Sequence, residues 1–234
     1  DNALVLAKAL PEGADLSIVS HSRGGLVADL LCLQNISADA LNRYNRHNDA
    51  FKEIDAHDRE QLAELARVLK SKVFRIKRLI RVASPSKGTL LASENSDQFL
   101  SILTSLIGLI PFLGQSPIYQ VTKRITLEAI KQRWDSTQIP GIEAMIPSSP
   151  LVALLNNPEA RAAGDLGVIA GDIEGSGWFK RLGVFISDPF IYESGDNDLV
   201  VNTDSMLQGL RRSESSRYVF DKGADVSHFR YFEN

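Results

Sequence analysis

The stretch that most restricts the fold of this 234-residue chain runs from Asp15 to Leu31, DLSIVSHSRGGLVADLL. It begins with the apolar run Leu16–Val19, which has the length and composition of a buried parallel strand. A turn of small and polar residues follows, and from Leu26 the apolar residues recur at helical spacing. We therefore predict a strand, a sharp turn and a helix in that order, with Ser22 at the apex of the turn.

The turn has the local features that a nucleophilic serine requires. Gly24 and Gly25 follow the apex, and their lack of a side chain allows the strand and helix backbones to approach closely. The N-terminus of the helix brings partial positive charge to a developing oxyanion. The alternative interpretation is a glycine-rich turn in a non-catalytic α/β domain.

The residues Ser20–Gly25, SHSRGG, resemble the G-H-S-x-G-G nucleophile elbow of α/β-hydrolase lipases and esterases, with Ser20 in place of the first glycine. The resemblance implies an α/β-hydrolase fold, with a mostly parallel sheet flanked by helices, as a single domain over residues 1–234. In that fold several strands precede the elbow strand, whereas here only a predicted helix, Ala3–Leu10, does so. We therefore expect the chain to be the C-terminal portion of the domain, with the N-terminal strands missing and an N-terminal remainder of the same protein completing the sheet.

A serine hydroxyl needs a base to take its proton, and that base needs an acid to orient it. In α/β-hydrolases these groups follow in the order Ser, Asp or Glu, His. On this resemblance Ser22 is the nucleophile and His228, which follows the last predicted strand, is the base. The segment GDNDLVV resembles the D-x-V-V pattern of lipases, which makes Asp198 the acid, with Asp196 as the alternative acid.

The resemblance also assigns the backbone N–H of Arg23 to the oxyanion hole and expects a second donor from the missing N-terminal part. Asp172 and Asp204 are more distant candidates for the acid. His21, which precedes the nucleophile, is expected to pack structurally. The chemistry needs neither a metal nor an organic cofactor, and we expect none.

Two helical insertions are predicted. Residues 37–72 are expected to form one or two surface helices, and residues 90–147 a helical cap. The most apolar stretch of the cap, Phe99–Leu113, is shorter than the roughly 20 residues that a membrane span needs. An apolar cap favours a hydrophobic acyl or lipid-like substrate and contact with a membrane surface; alternatively, its leucines pack on the core.

The remaining elements follow from periodicity and composition. Strands are predicted at 73–84, 167–171 and 217–220, and a short helix at 148–156. The first of these strands and the residues just before it carry a basic cluster, which we interpret as one solvated face and alternatively as a phosphate- or membrane-binding patch. Its members are Lys70, Lys72, Arg75, Lys77, Arg78 and Arg81. The loop after this strand offers three hydroxyl groups as candidates to line the substrate pocket: those of Ser84, Ser86 and Thr89.

Composition excludes some classes of function. A net charge of −3 argues against a nucleic-acid-binding protein, which usually carries a basic field. The single cysteine, Cys32, allows no internal disulfide or cysteine metal cluster, which favours a reducing compartment such as the cytoplasm.

The sequence therefore predicts a serine hydrolase that cleaves an acyl ester through an acyl-enzyme intermediate. Related families include triacylglycerol lipases and GPI-inositol deacylases. The alternative is a catalytically silent α/β-hydrolase-fold module with a binding or regulatory role in a larger protein. A third hypothesis is a product of processing that is active only together with its N-terminal half.

Overall fold

The computed structural model describes residues 1–33, 56–89, 141, 143–173, 198, 200–212, 215–223, 226, 228 and 231–232. Most of the predicted cap and the first half of the insertion predicted at 37–72 lie outside these residues. The part of the chain that is described contains the elbow turn, the strands of the sheet and the regions around Asp198 and His228.

The described strands are β1 (Asp15–His21), β2 (Arg75–Val82), β3 (Arg161–Ala162), β4 (Asp165–Ile173), β5 (Arg211–Arg212) and β6 (Ser216–Gly223). The described helices are α1 (Asn2–Ala9), α2 (Gly24–Cys32), α3 (Ala56–Lys72), α4 (Pro150–Leu155) and α5 (Thr203–Leu207), together with a 3₁₀ turn at Glu143–Met145. None of the described helices has the length and apolar character needed to span a membrane.

The main sheet is parallel and has the described order β1-β2-β4-β6. One row of register partners crosses it, from His21 through Val82 and Ile169 to Val219. This row is the last of β1 and β2, whereas β4 and β6 continue for four more residues. The carboxyl edge is therefore stepped, and such an edge is where open parallel sheets bind ligands.

The predicted strand–turn–helix unit is confirmed, and so are the strands predicted near residues 73–84, 167–171 and 217–220. The helix predicted at 148–156 is confirmed as α4, which begins with a proline after the N-cap Ser149, whose Oγ accepts a hydrogen bond from the Val152 N–H. The sequence did not predict β3, β5 or α5, which are each only two to five residues long. The expectation that further strands extend the sheet beyond β1 stays a prediction.

The helices pack with the sheet in two apolar clusters. The apolar face of α2 packs on β1 and β2 and forms a core with β4, α4 and α5. In a second apolar cluster, Ala3, Leu4 and Ala7 of α1 pack with Leu65 and Val68 of α3 and with Leu31 of α2. The elbow helix therefore contributes to both apolar clusters.

The basic cluster on β2 divides in a way that the sequence analysis did not predict. Arg75 and Lys77 are exposed and pair with Asp15, as expected for a solvated face. Arg81 is instead 1% exposed, and its Nη1 donates to Oδ2 of the fully buried Asp29 at 2.7 Å. The expectation of one solvated face is wrong for Arg81, because its partner lies on α2 rather than in solvent.

Asp29 also binds a second buried guanidinium. Arg212 of β5 donates from Nη2 to Asp29 Oδ1 at 2.5 Å, and its side chain is 1% exposed. Further N–H groups of the two arginines donate to the backbone oxygens of Gln208 and Ala163. The carboxylate of Asp29 therefore joins α2, β2 and β5 in the interior.

We predict that Asp29→Asn lowers the free energy of unfolding by about 3 to 5 kcal/mol, because it leaves two buried guanidinium groups without a compensating charge. Urea denaturation followed by circular dichroism measures the change. The matched control is Asp15→Asn, whose carboxylate pairs with arginine and lysine at the surface, where solvent and salt screen the interaction. Equal losses for the two variants would contradict the prediction.

Candidate active site

Ser22 lies in the turn between β1 and α2 with a backbone φ of +53°, in the left-handed region that residues other than glycine rarely adopt. Its N–H donates to the carbonyl of Val82 at 2.9 Å, and its own carbonyl accepts from the Gly25 N–H at 2.9 Å. The end of β2 and the first turn of α2 thus hold the strained residue from two sides. Strain of this kind concentrates at functional sites.

Arg23 follows as the N-cap of α2, which is nine residues long. Within the described residues nothing accepts a hydrogen bond from the Arg23 N–H. The partial positive charge of the helix N-terminus adds to this donor. The position therefore suits stabilisation of negative charge that develops next to Ser22.

The two glycines of the turn differ in their surroundings. A Cβ on Gly25 would lie 2.0 Å from Ser84 Oγ and 2.6 Å from Ser84 Cβ. A Cβ on Gly24 would meet only Ser20 Cβ, at 3.9 Å. Only Gly25 therefore allows the close approach that the sequence predicted for both glycines, and it brings α2 against the segment after β2.

The structure brings Asp198 and His228 together. His228 Nδ1 and Asp198 Oδ2 are 2.8 Å apart, and both residues are fully buried. The other carboxylate oxygen, Oδ1, accepts the backbone N–H groups of Val200 at 3.1 Å and Val201 at 2.8 Å. The His228 N–H donates in turn to the Asp198 carbonyl at 3.2 Å. Because an ionised carboxylate only accepts, the ring proton of His228 lies on Nδ1.

His21 connects this pair to the elbow turn. It is the last residue of β1 and the chain neighbour of Ser22, and its Nε2 donates to the backbone carbonyl of His228. The rings of His21 and His228 lie 4.8 Å apart at an interplanar angle of 48°, and the ring of Phe232 packs edge-on against His21 at 5.8 Å. Ser22 therefore directly follows a residue that contacts His228.

The surroundings of His21 keep its ring neutral. Burial, with the neighbouring His228 as the second cause, lowers the pKa of His21 from its ordinary 6.5 to about 4. A neutral ring adds no positive charge beside His228, so a cation that forms on His228 is not opposed from this side. The expected structural packing of His21 is confirmed, and its hydrogen bond to His228 adds to it.

Tyr231 is a further contact that the sequence analysis missed. Its hydroxyl donates to Asp198 Oδ2 at 3.2 Å, three residues after His228 in the chain. Burial, and then the charge of Asp198, raise the pKa of this phenol far above its ordinary value. No sequence motif signals this contact, since a tyrosine near a chain end has no periodic or family pattern.

The two other acid candidates that the structure describes have different surroundings from Asp198. Asp172 forms an ion pair with Lys222 at 2.9 Å, and Asp204 is exposed in the first turn of α5. Asp196 lies outside the described residues. The three hydroxyl residues proposed to line the pocket are instead buried at 1% exposure or less, and they are Ser84, Ser86 and Thr89.

A cavity of about 510 Å³ adjoins the elbow turn. Its apolar walls come from α1, α2, α3 and α4 and include Leu26, Leu62 and Leu151, while Arg23 and Glu143 contribute polar groups. Ser22 and His228 do not line it, so Arg23 is its link to the turn. Among the described residues, no three His, Cys, Asp or Glu side chains are grouped so that they could hold a metal ion.

The family described as "Domain of unknown function (DUF7379)" matches residues 58–234, a range that includes Asp198 and His228 and begins after Ser22. No curated protein matches the sequence. Among solved structures, the chain is similar to the lipase BlEst2 of Bacillus licheniformis in its mature form, with 15% identity and a TM-score of 0.38. The similarity covers 98% of this chain and 66% of the lipase chain, so the chain spans less than two thirds of the length of that lipase. A likeness at this level assigns no activity.

We predict that Gly25→Ala lowers the free energy of unfolding by about 1 to 3 kcal/mol, because the added methyl group overlaps the side chain of Ser84. Gly24→Ala is the matched control, since it has room for the methyl group and favours helix. Thermal and urea denaturation of both variants measure the difference. A Gly25→Ala protein as stable as Gly24→Ala would rule out the close approach.

The depressed pKa of His21 makes stability depend on pH. Between about pH 6.5 and pH 4 the unfolded chain binds more protons at this residue than the folded chain, so its contribution is complete above pH 6.5 and is lost as pH falls. We expect the wild-type protein to lose about 2 kcal/mol more than His21→Gln between pH 7 and pH 5. Urea denaturation of both proteins at the two pH values tests this. Parallel losses would show that His21 titrates normally.

Proposed function

The chain belongs to the DUF7379 family, a domain of unknown function, and we propose that it is a serine hydrolase of the lipase and esterase type that cleaves an acyl ester through Ser22, His228 and Asp198. The observation that carries the proposal is the buried 2.8 Å hydrogen bond between His228 and Asp198 beside the strained Ser22 turn. A serine next to an imidazole that is oriented by a carboxylate is the arrangement that activates a hydroxyl group.

In the proposed reaction Ser22 Oγ attacks the ester carbonyl carbon, and His228 Nε2 takes the hydroxyl proton. The new Oγ–C bond forms as the carbonyl π electrons move onto oxygen. When the carbonyl re-forms, the bond to the leaving alkoxide breaks, and the imidazolium returns the proton to that alkoxide. Water then attacks the acyl-enzyme with His228 again as the base, which releases the acid and regenerates Ser22. Asp198 holds the Nδ1–H tautomer and stabilises the imidazolium.

The backbone N–H of Arg23 is the proposed first donor to the oxyanion, supported by its place at the N-terminus of α2. A loop preceding β1 is the proposed source of the second donor, as the α/β-hydrolase fold implies. We propose that the chain has that fold, with a helical cap over residues 90–147.

The cavity beside Arg23 supports a hydrophobic acyl group as the recognised part of the substrate. Its volume of about 510 Å³ is within the usual range for small-molecule sites, and leucines line its walls. An acyl chain placed there would leave its carbonyl near the Arg23 N–H. The apolar cap is the proposed region of contact with a membrane surface or a lipid-like substrate.

In this proposal, the hydrogen bond between Ser22 Oγ and His228 Nε2 forms only when substrate is bound. Within the described residues Ser22 Oγ makes no hydrogen bond, and the residue is only partly buried. Hydrogen bonds of catalytic groups are often long without substrate and tighten in the complex. The proposal therefore requires that substrate binding closes this contact.

We predict that a fluorophosphonate probe labels Ser22 and that Ser22→Ala abolishes labelling, as read by intact mass. Asp198→Asn is expected to slow labelling by about three to four orders of magnitude, because the imidazole loses its orienting carboxylate. Asp196→Asn, two residues earlier in the sequence, is the matched control and should stay within about twofold of the wild-type rate. The reverse order of these two variants would make Asp196 the acid.

The same experiment separates the alternatives. A folded protein that takes up no probe would favour the catalytically silent module.

A further inference from the structure

The phenol of Tyr231 makes a contact that the proposed mechanism does not require. It lies three residues after His228 and donates to Asp198 Oδ2, the oxygen that also binds His228 Nδ1. We propose that Tyr231 is a positioning residue, which ties the segment after His228 to the carboxylate and so holds the imidazole in its Nδ1–H tautomer. This inference rests on the proposed function only for its effect on rate.

The hydroxyl completes the coordination of the Asp198 carboxylate. Oδ1 has two donors, the N–H groups of Val200 and Val201, and Oδ2 has two, the His228 ring and the Tyr231 hydroxyl. Because the exposure of Asp198 is 0%, water has no direct access to replace a lost donor. Each donor therefore restrains the rotation of the carboxylate.

The negative charge of Asp198 determines which group donates in its hydrogen bond with Tyr231. Burial, together with the charge of Asp198, keeps Tyr231 protonated by raising the pKa of the phenol. An ionised carboxylate cannot donate, so the phenol donates to it. The anchor is therefore present throughout the neutral pH range in which a histidine base works.

The position of Tyr231 also depends on β4. A Cβ on Gly171 would lie 2.6 Å from the Tyr231 hydroxyl oxygen and 2.4 Å from Val226 Cγ1. Only glycine therefore leaves room for the phenol at this point of the strand. Gly167, four residues earlier on β4, has no such role, because a Cβ there would come no closer than 3.5 Å to Ile80.

Loss of the hydroxyl releases the chain between residues 228 and 231 from the carboxylate. His228 then loses one of its restraints, and its ring samples orientations in which Nδ1 is not the donor. The chemical step slows, whereas binding of a substrate or probe is expected not to change, because Tyr231 contacts Asp198 Oδ2 and does not line the cavity beside Arg23.

The test compares Tyr231→Phe with Tyr218→Phe, an exposed tyrosine of β6 that serves as the matched control. With the fluorophosphonate probe, Tyr231→Phe should lower the limiting labelling rate about fivefold, the value of one hydrogen bond, and leave the half-saturating probe concentration unchanged. Gly171→Ala should have the same effect, and Gly167→Ala none.

A second measurement does not depend on activity. In protein labelled with ¹⁵N-histidine, the two ring nitrogens of His228 are read through the non-exchangeable ring protons and assigned with His228→Gln. We expect one Nδ1–H tautomer in the wild type and Tyr218→Phe, and nitrogen shifts that move towards each other in Tyr231→Phe. A folded wild-type protein that does not label would reject the proposed function, while these shifts would still decide the role of Tyr231.

Two results would overturn the inference. One is a Tyr231→Phe protein whose ring-nitrogen shifts match the wild type. The other is a Tyr231→Phe protein that does not fold, as shown by circular dichroism, since the hydroxyl would then serve the stability of the fold.

Discussion

The position of the elbow helix depends on the carboxylate of Asp29. This side chain is fully buried on α2 and accepts hydrogen bonds from Arg81 of β2 and Arg212 of β5. Removing a carboxylate from such a group would leave buried positive charge, which is among the most costly changes in a protein interior. Since α2 begins directly after the Ser22 turn, the network determines how the helix leaves the sheet and where the turn lies.

Two constraints of different kinds meet at the carboxyl edge of the sheet. The backbone of Ser22 is strained, and hydrogen bonds to the end of β2 and within the first turn of α2 hold it. The carboxylate of Asp198 is satisfied by four donors, and His228 is bound through both its ring and its backbone. His21 connects the Ser22 turn with the Asp198–His228 pair, because it directly precedes Ser22 and contacts His228. The Ser22 backbone and the Asp198–His228 pair are therefore each restrained by several hydrogen bonds, whereas the proposed contact between Ser22 and His228 forms only with substrate.

Local signals made part of this arrangement predictable. Apolar periodicity and the small-residue turn were enough for β1, the turn and α2, and periodicity also located β4 and α4. The resemblance to lipase motifs ranked Asp198 first and selected His228, and these two residues are hydrogen-bonded. Arg81 was misread, because strand alternation cannot identify a partner 52 residues away on another element. Tyr231 was missed because no local pattern indicates its contact with Asp198, 33 residues earlier in the chain.

The sequence by itself determined the order of strand, turn and helix and the residue types that can carry a hydrolytic site. These features depend on neighbouring residues, whose spacing sets periodicity, turn formation and helix N-termini. Only the tertiary structure decided which charges are buried and which donors meet at Asp198. The contacts of Asp29 with Arg81 and Arg212, and of Asp198 with His228 and Tyr231, join residues 30 to 183 positions apart. Whether such residues meet depends on the packing of the whole sheet and its helices.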